Sequence, residues 1–258
     1  SQTVEITREA GATIMGFYRS SYDVQDKAPD NPVTDADFAA DKLLKERLTK
    51  LLPEAGWLSE ETVDNPIRLL KEYVWVVDPL DGTKEFVMGI PEFSVSVGLV
   101  QDGRPQLAVI YNPATDELYT ATYKGGVQYN GNPVQTSDRA NLQGALVDAS
   151  RSEWKRGEFE PFEELIEAKI VGSIAYKLAR VAAGQADATW SRGPKNEWDI
   201  CAGTLLITEG GGACVDLDNK ELFFNRPRPK VNGIVADNGA LHEELMATLK
   251  PHGAARTD

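Results

Sequence analysis

Residues 75–83 have the sequence WVVDPLDGT, in which a strongly apolar run leads straight into a turn with two carboxylates. The apolar residues predict a buried strand, and the proline and glycine that follow predict an abrupt turn. Asp78 and Asp81 are three positions apart, so their negative charges repel each other unless a cation lies between them. Carboxylate oxygens are hard ligands that favour Mg²⁺ or Mn²⁺. An interpretation in which both aspartates only cap the turn through hydrogen bonds stays open.

The same turn offers three groups besides its carboxylates. The carbonyl oxygen of Leu80 is available as a further metal ligand. Gly82 lets the backbone approach an anion closely, and Thr83 places a hydroxyl where a helix is predicted to start. Backbone N–H groups at a helix start favour a phosphate. The turn therefore predicts a phosphate site next to a metal site.

Three more acidic positions lie elsewhere in the chain, and each has a simple alternative explanation. Glu60 follows Ser59 in a Ser-Glu-Glu segment, although exposed glutamate pairs are common. Asp199 stands in the first turn of a predicted helix, where the helix dipole favours a carboxylate without any function. Asp37 completes a capping box with Thr34. Taken singly, none of these residues indicates a site.

Hydrophobic periodicity predicts the elements around these residues. In the first half it indicates helices at 6–17 and from 34 onward, a turn-rich segment at 27–33, and strands at 73–78, 93–100, 106–111, 117–122 and 126–129. In the second half it indicates strands at 145–149, 169–172, 186–191 and 231–236, and helices at 158–168, 173–183, 198–209 and 240–249. Because strands and helices alternate in the second half, we expect an α/β (α+β) fold with a partly parallel, helix-covered sheet. The predicted division is an N-terminal half, 1–140, that carries the metal-binding turn and a C-terminal half, 141–258.

Composition excludes several classes of function. The net charge of −13 over 258 residues argues against binding to a nucleic-acid polymer, which needs a basic surface. No apolar run approaches the length of a membrane helix, and the first residues lack the pattern of a signal peptide. The two cysteines have no metal-like spacing, and two histidines, His242 and His252, are too few for a histidine-based hydrolase. We therefore expect a cytoplasmic protein that acts on a small molecule and has no membrane partner.

Four segments together resemble one known family. The order of DNPVTDAD (30–37), SEE (59–61), DPLDGTKEF (78–86) and NEWDICAGTLLITEGGG (196–212) is similar to that of the inositol monophosphatase-like, lithium-sensitive, magnesium-dependent phosphatases. The resemblance spans roughly residues 27–212. It implies a layered αβαβα sandwich of the inositol monophosphatase and fructose-1,6-bisphosphatase type, with the site between the two halves. A homodimer is a further implication of the resemblance.

The resemblance also implies a role for each acidic residue. The implied metal ligands are Glu60, Asp78, the Leu80 carbonyl, Asp81 and Asp199. They would hold two or three Mg²⁺ ions, for which Mn²⁺ is expected to substitute and which Li⁺ is expected to displace as an inhibitor. Asp37 and Thr83, with Glu60, would form the catalytic set that orients and deprotonates the attacking water. The backbone amides of Gly82 and Thr83 would hold phosphate oxygens.

The substrate is predicted from the residues that follow the metal-binding turn. Lys84-Glu85-Phe86 looks like the 3'(2'),5'-bisphosphate nucleotidase branch, whose members remove the 3'-phosphate from adenosine 3',5'-bisphosphate, a by-product of sulfate activation. The second phosphate of that substrate needs a cationic partner. Lys177 is similar in position to a lysine of that branch, and Arg192 and Lys195 are further candidates, with Ser173 included in the predicted substrate-binding set. The alternative is that all three cations are solvated surface residues.

Other functions stay open at this point. An inositol monophosphatase or a sugar bisphosphatase is the alternative within the same fold, and dual or broader specificity is an option because residues 193–197 depart from the better-known nucleotidases. A more distant alternative is an acidic protein that binds cations without catalysis. The Asp37 and Thr83 pair argues against it, because cation binding alone does not require those residues. On the resemblance to the nucleotidase branch, we expect the nucleotide to have the highest catalytic efficiency.

Overall fold

The fold was analysed in a computed structural model that describes residues 1–20, 23–28 and 31–254. The α-helices are α1 (Gln2–Phe17), α2 (Asp35–Leu51), α3 (Thr83–Val87), α4 (Arg151–Lys155), α5 (Ile174–Ala182), α6 (Glu197–Glu209) and α7 (His242–Leu249). Short 3₁₀ helices occur at Pro66–Leu70, Glu160–Phe162 and Lys250–His252. None of the described helices combines the length and the apolar character needed to cross a bilayer.

In the part of the chain that the structure describes, the strands form two large sheets and two short ribbons. In chain order they are β1 (Val24–Ala28), β2 (Asn31–Thr34), β3 (Gly56–Ser59), β4 (Tyr73–Asp81), β5 (Ser94–Gln101), β6 (Arg104–Asn112), β7 (Glu117–Thr122), β8 (Val127–Tyr129), β9 (Asn132–Val134), β10 (Ala145–Ala149), β11 (Ile166–Ile170), β12 (Ala188–Ser191), β13 (Lys195–Asn196), β14 (Ala213–Val215), β15 (Lys230–Val231) and β16 (Ile234–Asp237). The first large sheet has the order β3-β4-β5-β6-β7-β8-β9, and only β3 and β4 run parallel in it. The second has the order β11-β10-β12-β16-β14 and mixes parallel and antiparallel pairs.

Side-chain alternation along β4 explains how the layers stack. Trp75 and Val77 pack against the pair formed by α1 and α2, whereas Val74 and Val76 face the opposite side of the sheet, where α5 and α6 lie. The α5–α6 pair is covered on its other side by the second sheet, and α7 packs on the far face of that sheet. The expected αβαβα sandwich is confirmed. Because α6 lies between two sheets, it is apolar around most of its circumference.

The division into halves near residue 140 stays a prediction. The first sheet ends at Val134 and the second begins at Ala145, which is compatible with it. The central core nevertheless draws on both sides of that point, since Val76 and Ile110 belong to the same buried cluster as Leu206 and Ala236.

Two predicted segments, a turn and a strand, have a different secondary structure in the fold. Residues 27–33, predicted as a turn, lie largely in the antiparallel ribbon of β1 and β2, while residues 29 and 30 fall outside the described residues. The single strand predicted at 231–236 is two strands, β15 and β16, that pair with different neighbours. Gly233, with φ of +93°, breaks the extended conformation between them.

The helix predicted at 158–168 is wrong. Only a 3₁₀ turn, Glu160–Phe162, forms there, and residues 166–170 are strand β11 instead of helix. Pro161 limits helix propagation, and β11 pairs in parallel with β10 over five residues, from Ala145 with Ile166 to Ala149 with Ile170. Tertiary pairing thus overrides the apparent helical periodicity.

Candidate active site

The parallel pairing of β3 and β4 brings the first two carboxylates together. Ser59 lies opposite Val77 in the register, so the next residue of each strand, Glu60 and Asp78, emerges at the same edge of the sheet. The backbone N–H of Glu60 donates to the carbonyl of Val77 at 3.3 Å, which extends the pairing to the site. The segment is also fixed to α2, because the hydroxyl of Ser59 donates to the carboxylate of Asp41.

A third carboxylate joins this pair from the other half of the chain. Asp199 lies in the first turn of α6, and one oxygen each of Glu60, Asp78 and Asp199 falls within 4.8 Å of the other two. Asp199 also accepts from the backbone N–H of Asn196 at 3.0 Å, so it caps its helix and belongs to the cluster at the same time. Sets of converging carboxylate oxygens match the ligand preference of Mg²⁺ and Mn²⁺. The residues present therefore fit a divalent cation.

The electrostatics of the cluster point in the same direction. Burial, followed by the neighbouring carboxylates of Glu60, Asp81 and Asp199, raises the pKa of Asp78 well above its ordinary value. Burial and then the carboxylates of Glu60 and Asp81 likewise raise the pKa of Asp199. Burial raises the pKa of Asp81 to about 6, although hydrogen bonds oppose it. Carboxylates held this close favour a cation between them, since it removes the repulsion that otherwise requires protonation.

Asp81 connects the turn to the start of α5. Its Oδ2 accepts from the hydroxyl of Ser173 at 2.6 Å and from the backbone N–H of Ala175 at 2.6 Å. Ser173 has φ of 58°, an uncommon conformation for a residue with a side chain, and its hydroxyl also accepts from the N–H of Tyr176. Strain of this kind, which costs about 1–3 kcal/mol, is characteristic of functional sites.

Asp37 and Thr83 meet as predicted. The hydroxyl of Thr83 lies 3.0 Å from Oδ1 of Asp37 and 3.0 Å from the carbonyl oxygen of Leu80. The other oxygen of Asp37, Oδ2, accepts from the backbone N–H of Thr34 at 2.8 Å and from its hydroxyl at 2.7 Å. The capping explanation and the catalytic one are therefore compatible, because they use different oxygens of a carboxylate that is almost fully buried.

Gly82 occupies a position that no other residue fits without strain. Its φ is +97°, and a Cβ there would lie 2.9 Å from the carbonyl oxygen of Glu92 and 3.2 Å from the Cα of Phe93. The glycine lets the chain turn from β4 into α3 beside the carboxylates. The backbone at this turn is thus free to approach a bound anion.

A cleft of about 680 Å³ contains nearly all of the predicted residues. Those that line it are Glu60, Asp78, Leu80, Asp81, Gly82, Thr83, Ser173, Lys177, Lys195 and Asp199. Asp37 and Arg192 are not among them. Asp37 lies behind Thr83, whose hydroxyl it contacts, and the structure does not bring Arg192 to the wall of the cleft. The guanidinium of Arg192 donates to the backbone carbonyls of Glu158 and His252, at 3.3 and 3.1 Å. It is therefore directed to the loop between α4 and the 3₁₀ turn Glu160–Phe162, and to the C-terminal region.

Sequence reasoning missed other charged residues of the cleft. Lys84, Arg151 and Lys155 also line it, and Arg151 is held between Glu85 at 2.8 Å and Glu92 at 3.1 Å. No sequence motif indicates a role for Arg151, because both of its partners are more than fifty residues away in the chain and α4 has no clear periodicity. Only the folded arrangement identifies these residues.

Comparisons with known proteins agree with this geometry. The family model described as "Inositol monophosphatase family" matches residues 1–254. An inositol-1-monophosphatase of Mesorhizobium japonicum is 35% identical over 240 residues, which cover 89% of this chain and 87% of that protein. The structure of extragenic suppressor protein suhB from Bartonella henselae superposes with a TM-score of 0.86 at 30% identity, covering 96% of both chains. SaIMPase-II with 2'AMP bound superposes with a TM-score of 0.81 at 27% identity, covering 96% of this chain and 92% of that one.

Proposed function

The chain belongs to the inositol monophosphatase family of phosphatases, and from that premise we propose that it is a magnesium-dependent phosphomonoesterase acting on an inositol monophosphate. The observation that carries the proposal is the convergence of Glu60, Asp78 and Asp199 within 4.8 Å at the base of the cleft. These three carboxylates would hold a divalent cation, which would neutralise phosphate charge and favour ionisation of water.

The residues of this chain supply the positioning. The hydroxyl of Thr83 donates to Oδ1 of Asp37, which leaves its oxygen lone pairs to accept a proton from a water molecule in the cleft. As the hydroxyl oxygen of Thr83 takes the proton of that water, the hydroxyl passes its own proton to the buried carboxylate of Asp37, and such transfer contributes about 10²–10⁴-fold to a rate. The backbone at Gly82 and Thr83 offers N–H groups to the phosphate oxygens.

The choice of inositol monophosphate follows the named relatives. The enzyme of Mesorhizobium japonicum is called an inositol-1-monophosphatase, and SaIMPase-II has also been solved with inositol monophosphate bound. These names favour the inositol phosphate alternative over the nucleotidase interpretation of the sequence.

A bisphosphorylated nucleotide is the second candidate substrate. It is favoured by the ammonium groups of Lys177 and Lys195, which line the cleft and suit a substrate with a second anionic group. SaIMPase-II was also solved with 2'AMP bound, so a nucleotide fits at least one related site. A role in sulfur metabolism belongs to this candidate alone.

The two candidates are separated by the rates of phosphate release from inositol 1-phosphate, adenosine 3',5'-bisphosphate and fructose 1,6-bisphosphate, measured side by side with Mg²⁺. We expect inositol 1-phosphate to have the highest kcat/KM, by about tenfold or more, which corresponds to about 1.4 kcal/mol of transition-state stabilisation. The highest value for the nucleotide would instead establish the second candidate. Absence of phosphate release from all three would contradict both.

Four further properties belong to the same proposal. Li⁺ is expected to inhibit turnover, Mn²⁺ to support it in place of Mg²⁺, and the protein to act as a cytoplasmic homodimer. The metal effects and the homodimer are carried over from the resemblance to the family and the cytoplasmic location from the composition, and no contact in the described residues bears on them.

A further inference from the structure

A buried carboxylate beside the cleft has no part in the metal cluster. Glu153 lies in α4 and is only 2% exposed. Its Oε1 accepts from the hydroxyl of Ser191 and lies 3.4 Å from the ammonium of Lys195. Its Oε2 is buried and has no hydrogen-bond partner among the residues that the structure describes. A buried carboxylate oxygen without a donor is costly, so its retention calls for an explanation.

The ammonium of Lys177 is the complementary anomaly. Lys177 is 2% exposed and lines the cleft, and its three N–H donors make no hydrogen bond or ion pair in the described part of the chain. The charged groups around it are Glu153, Lys195, Asp148 and Asp81. Burial lowers the pKa of Lys177, and the nearby carboxylate of Glu153 opposes that change. Donors this deeply buried, and directed into a cleft, indicate an anionic ligand.

We propose that Glu153 is a positioning residue that supplies the counter-charge for Lys177 and Lys195 and so holds both ammonium groups at the cleft wall for an anionic group of the substrate. The anionic group is of the phosphate type, and it is either the scissile phosphate or a second one on the same ester. The inference rests on the proposed phosphatase function and deepens it.

Glu197 shows how a buried carboxylate with a structural role is hydrogen-bonded in this protein, and it differs from Glu153. Glu197 is fully buried too, but both of its oxygens are occupied: Oε2 accepts from the N–H of Asn225, and Oε1 accepts from the N–H and the guanidinium of Arg226. Glu153 instead faces two lysines that both line the cleft. Burial would raise the pKa of Glu153, but the charges of Lys195 and Lys177 outweigh it and lower that pKa, so the carboxylate is ionised.

The test is the steady-state kinetics of Glu153→Gln with inositol 1-phosphate and adenosine 3',5'-bisphosphate as probes. Without the negative charge, the repulsion between the two ammonium groups is no longer balanced, so they are no longer held at the positions where they face the substrate. We expect KM to rise about tenfold and kcat to stay within about twofold, the pattern of lost substrate binding. If KM rises with both substrates, the two ammonium groups contact the scissile phosphate. If KM rises with the nucleotide alone, they contact its second phosphate.

Two more variants separate positioning from a general structural effect. Lys195→Met, at a partly exposed side chain, should raise KM in the same way. Adding Glu153→Gln to it should raise KM less than Glu153→Gln does alone, because the repulsion between the two ammonium groups that Glu153 balances is then absent. Glu209→Gln is the matched control. The carboxylate of Glu209 accepts from the backbone N–H groups of Lys124 and Gly126 and lies outside the cleft.

The inference is overturned if Glu153→Gln has the KM of the wild type with both substrates, if the control Glu209→Gln raises KM as much as Glu153→Gln does, or if the effects of Glu153→Gln and Lys195→Met multiply. If Glu153→Gln does not fold, an unchanged KM in Lys195→Met overturns it as well. A wild-type protein without phosphatase activity defeats the proposed function and this inference together. An active wild type with an unaffected Glu153→Gln variant defeats the inference alone.

Discussion

Replacing Asp78 by asparagine is expected to lower kcat/KM for phosphate release by about 10³-fold or more, since the loss of one shared carboxylate removes about 4 kcal/mol of metal-derived transition-state stabilisation. The backbone N–H of Leu80 donates to Oδ1 of Asp78 at 3.0 Å, and the amide oxygen of asparagine preserves that hydrogen bond. The turn therefore keeps its shape, while a donor amide replaces a negative oxygen among Glu60 and Asp199.

The same substitution is expected to stabilise the metal-free protein. Asp78 is buried among other carboxylates, which raise its pKa, and a neutral side chain of the same size removes that repulsion. The free energy of unfolding, measured by urea denaturation with a chelator present, should equal or exceed that of the wild type. Asp116→Asn, at an exposed aspartate paired with Arg8, is the control and should leave activity unchanged. An inactive Asp78→Asn that is also strongly destabilised would indicate a structural and not a catalytic role.

The second large effect concerns pH and metal removal. Asp81 has an ordinary pKa of 3.8 that the fold raises to about 6, and the fold also raises the pKa values of Asp78 and Asp199. Between the two values the native state binds more protons than the unfolded state, so the free energy of unfolding falls as pH rises. In chelator, stability should therefore decline from pH 3.8 through about 6 and continue to decline above it.

Saturating Mg²⁺ should reverse this decline at neutral pH, because the cation binds the ionised carboxylates of the native state only. A concentration about 100 times the dissociation constant adds about 2.7 kcal/mol. Asp148 and Asp237 also have raised pKa values, but they lie outside the cluster, so their contribution should be the same with and without metal. The measurement is urea denaturation at several pH values, with and without Mg²⁺ at matched ionic strength. Equal stability with and without Mg²⁺ at pH 7.5 would contradict the metal assignment.

The parts of this site that are local in sequence were the predictable ones. The turn after residue 77, the cap formed by Thr34 with Asp37 and the helix that begins near Asp199 all follow from short-range patterns. Periodicity alone predicted only a mixed, helix-covered sheet. The αβαβα architecture and the set of metal ligands were predicted from the resemblance of four motifs, in their order, to a known family.

Long-range packing determines what the sequence did not predict. Arg192 is four residues before Asn196 and looked like a substrate ligand, yet its guanidinium is used by the carbonyls of Glu158 and His252. Glu153 lies in a helix of five residues that no periodicity marks, and its relation to Lys177 exists only once α4 and α5 are packed. Residues 166–170 form a strand because β10 offers a parallel partner.

The most direct test of the central claim is anomalous diffraction from crystals of the protein grown or soaked with Mn²⁺. The account predicts strong anomalous peaks in the cleft, with at least one manganese coordinated jointly by Glu60, Asp78 and Asp199. Carboxylates that remain without any peak between them at saturating Mn²⁺ would contradict it.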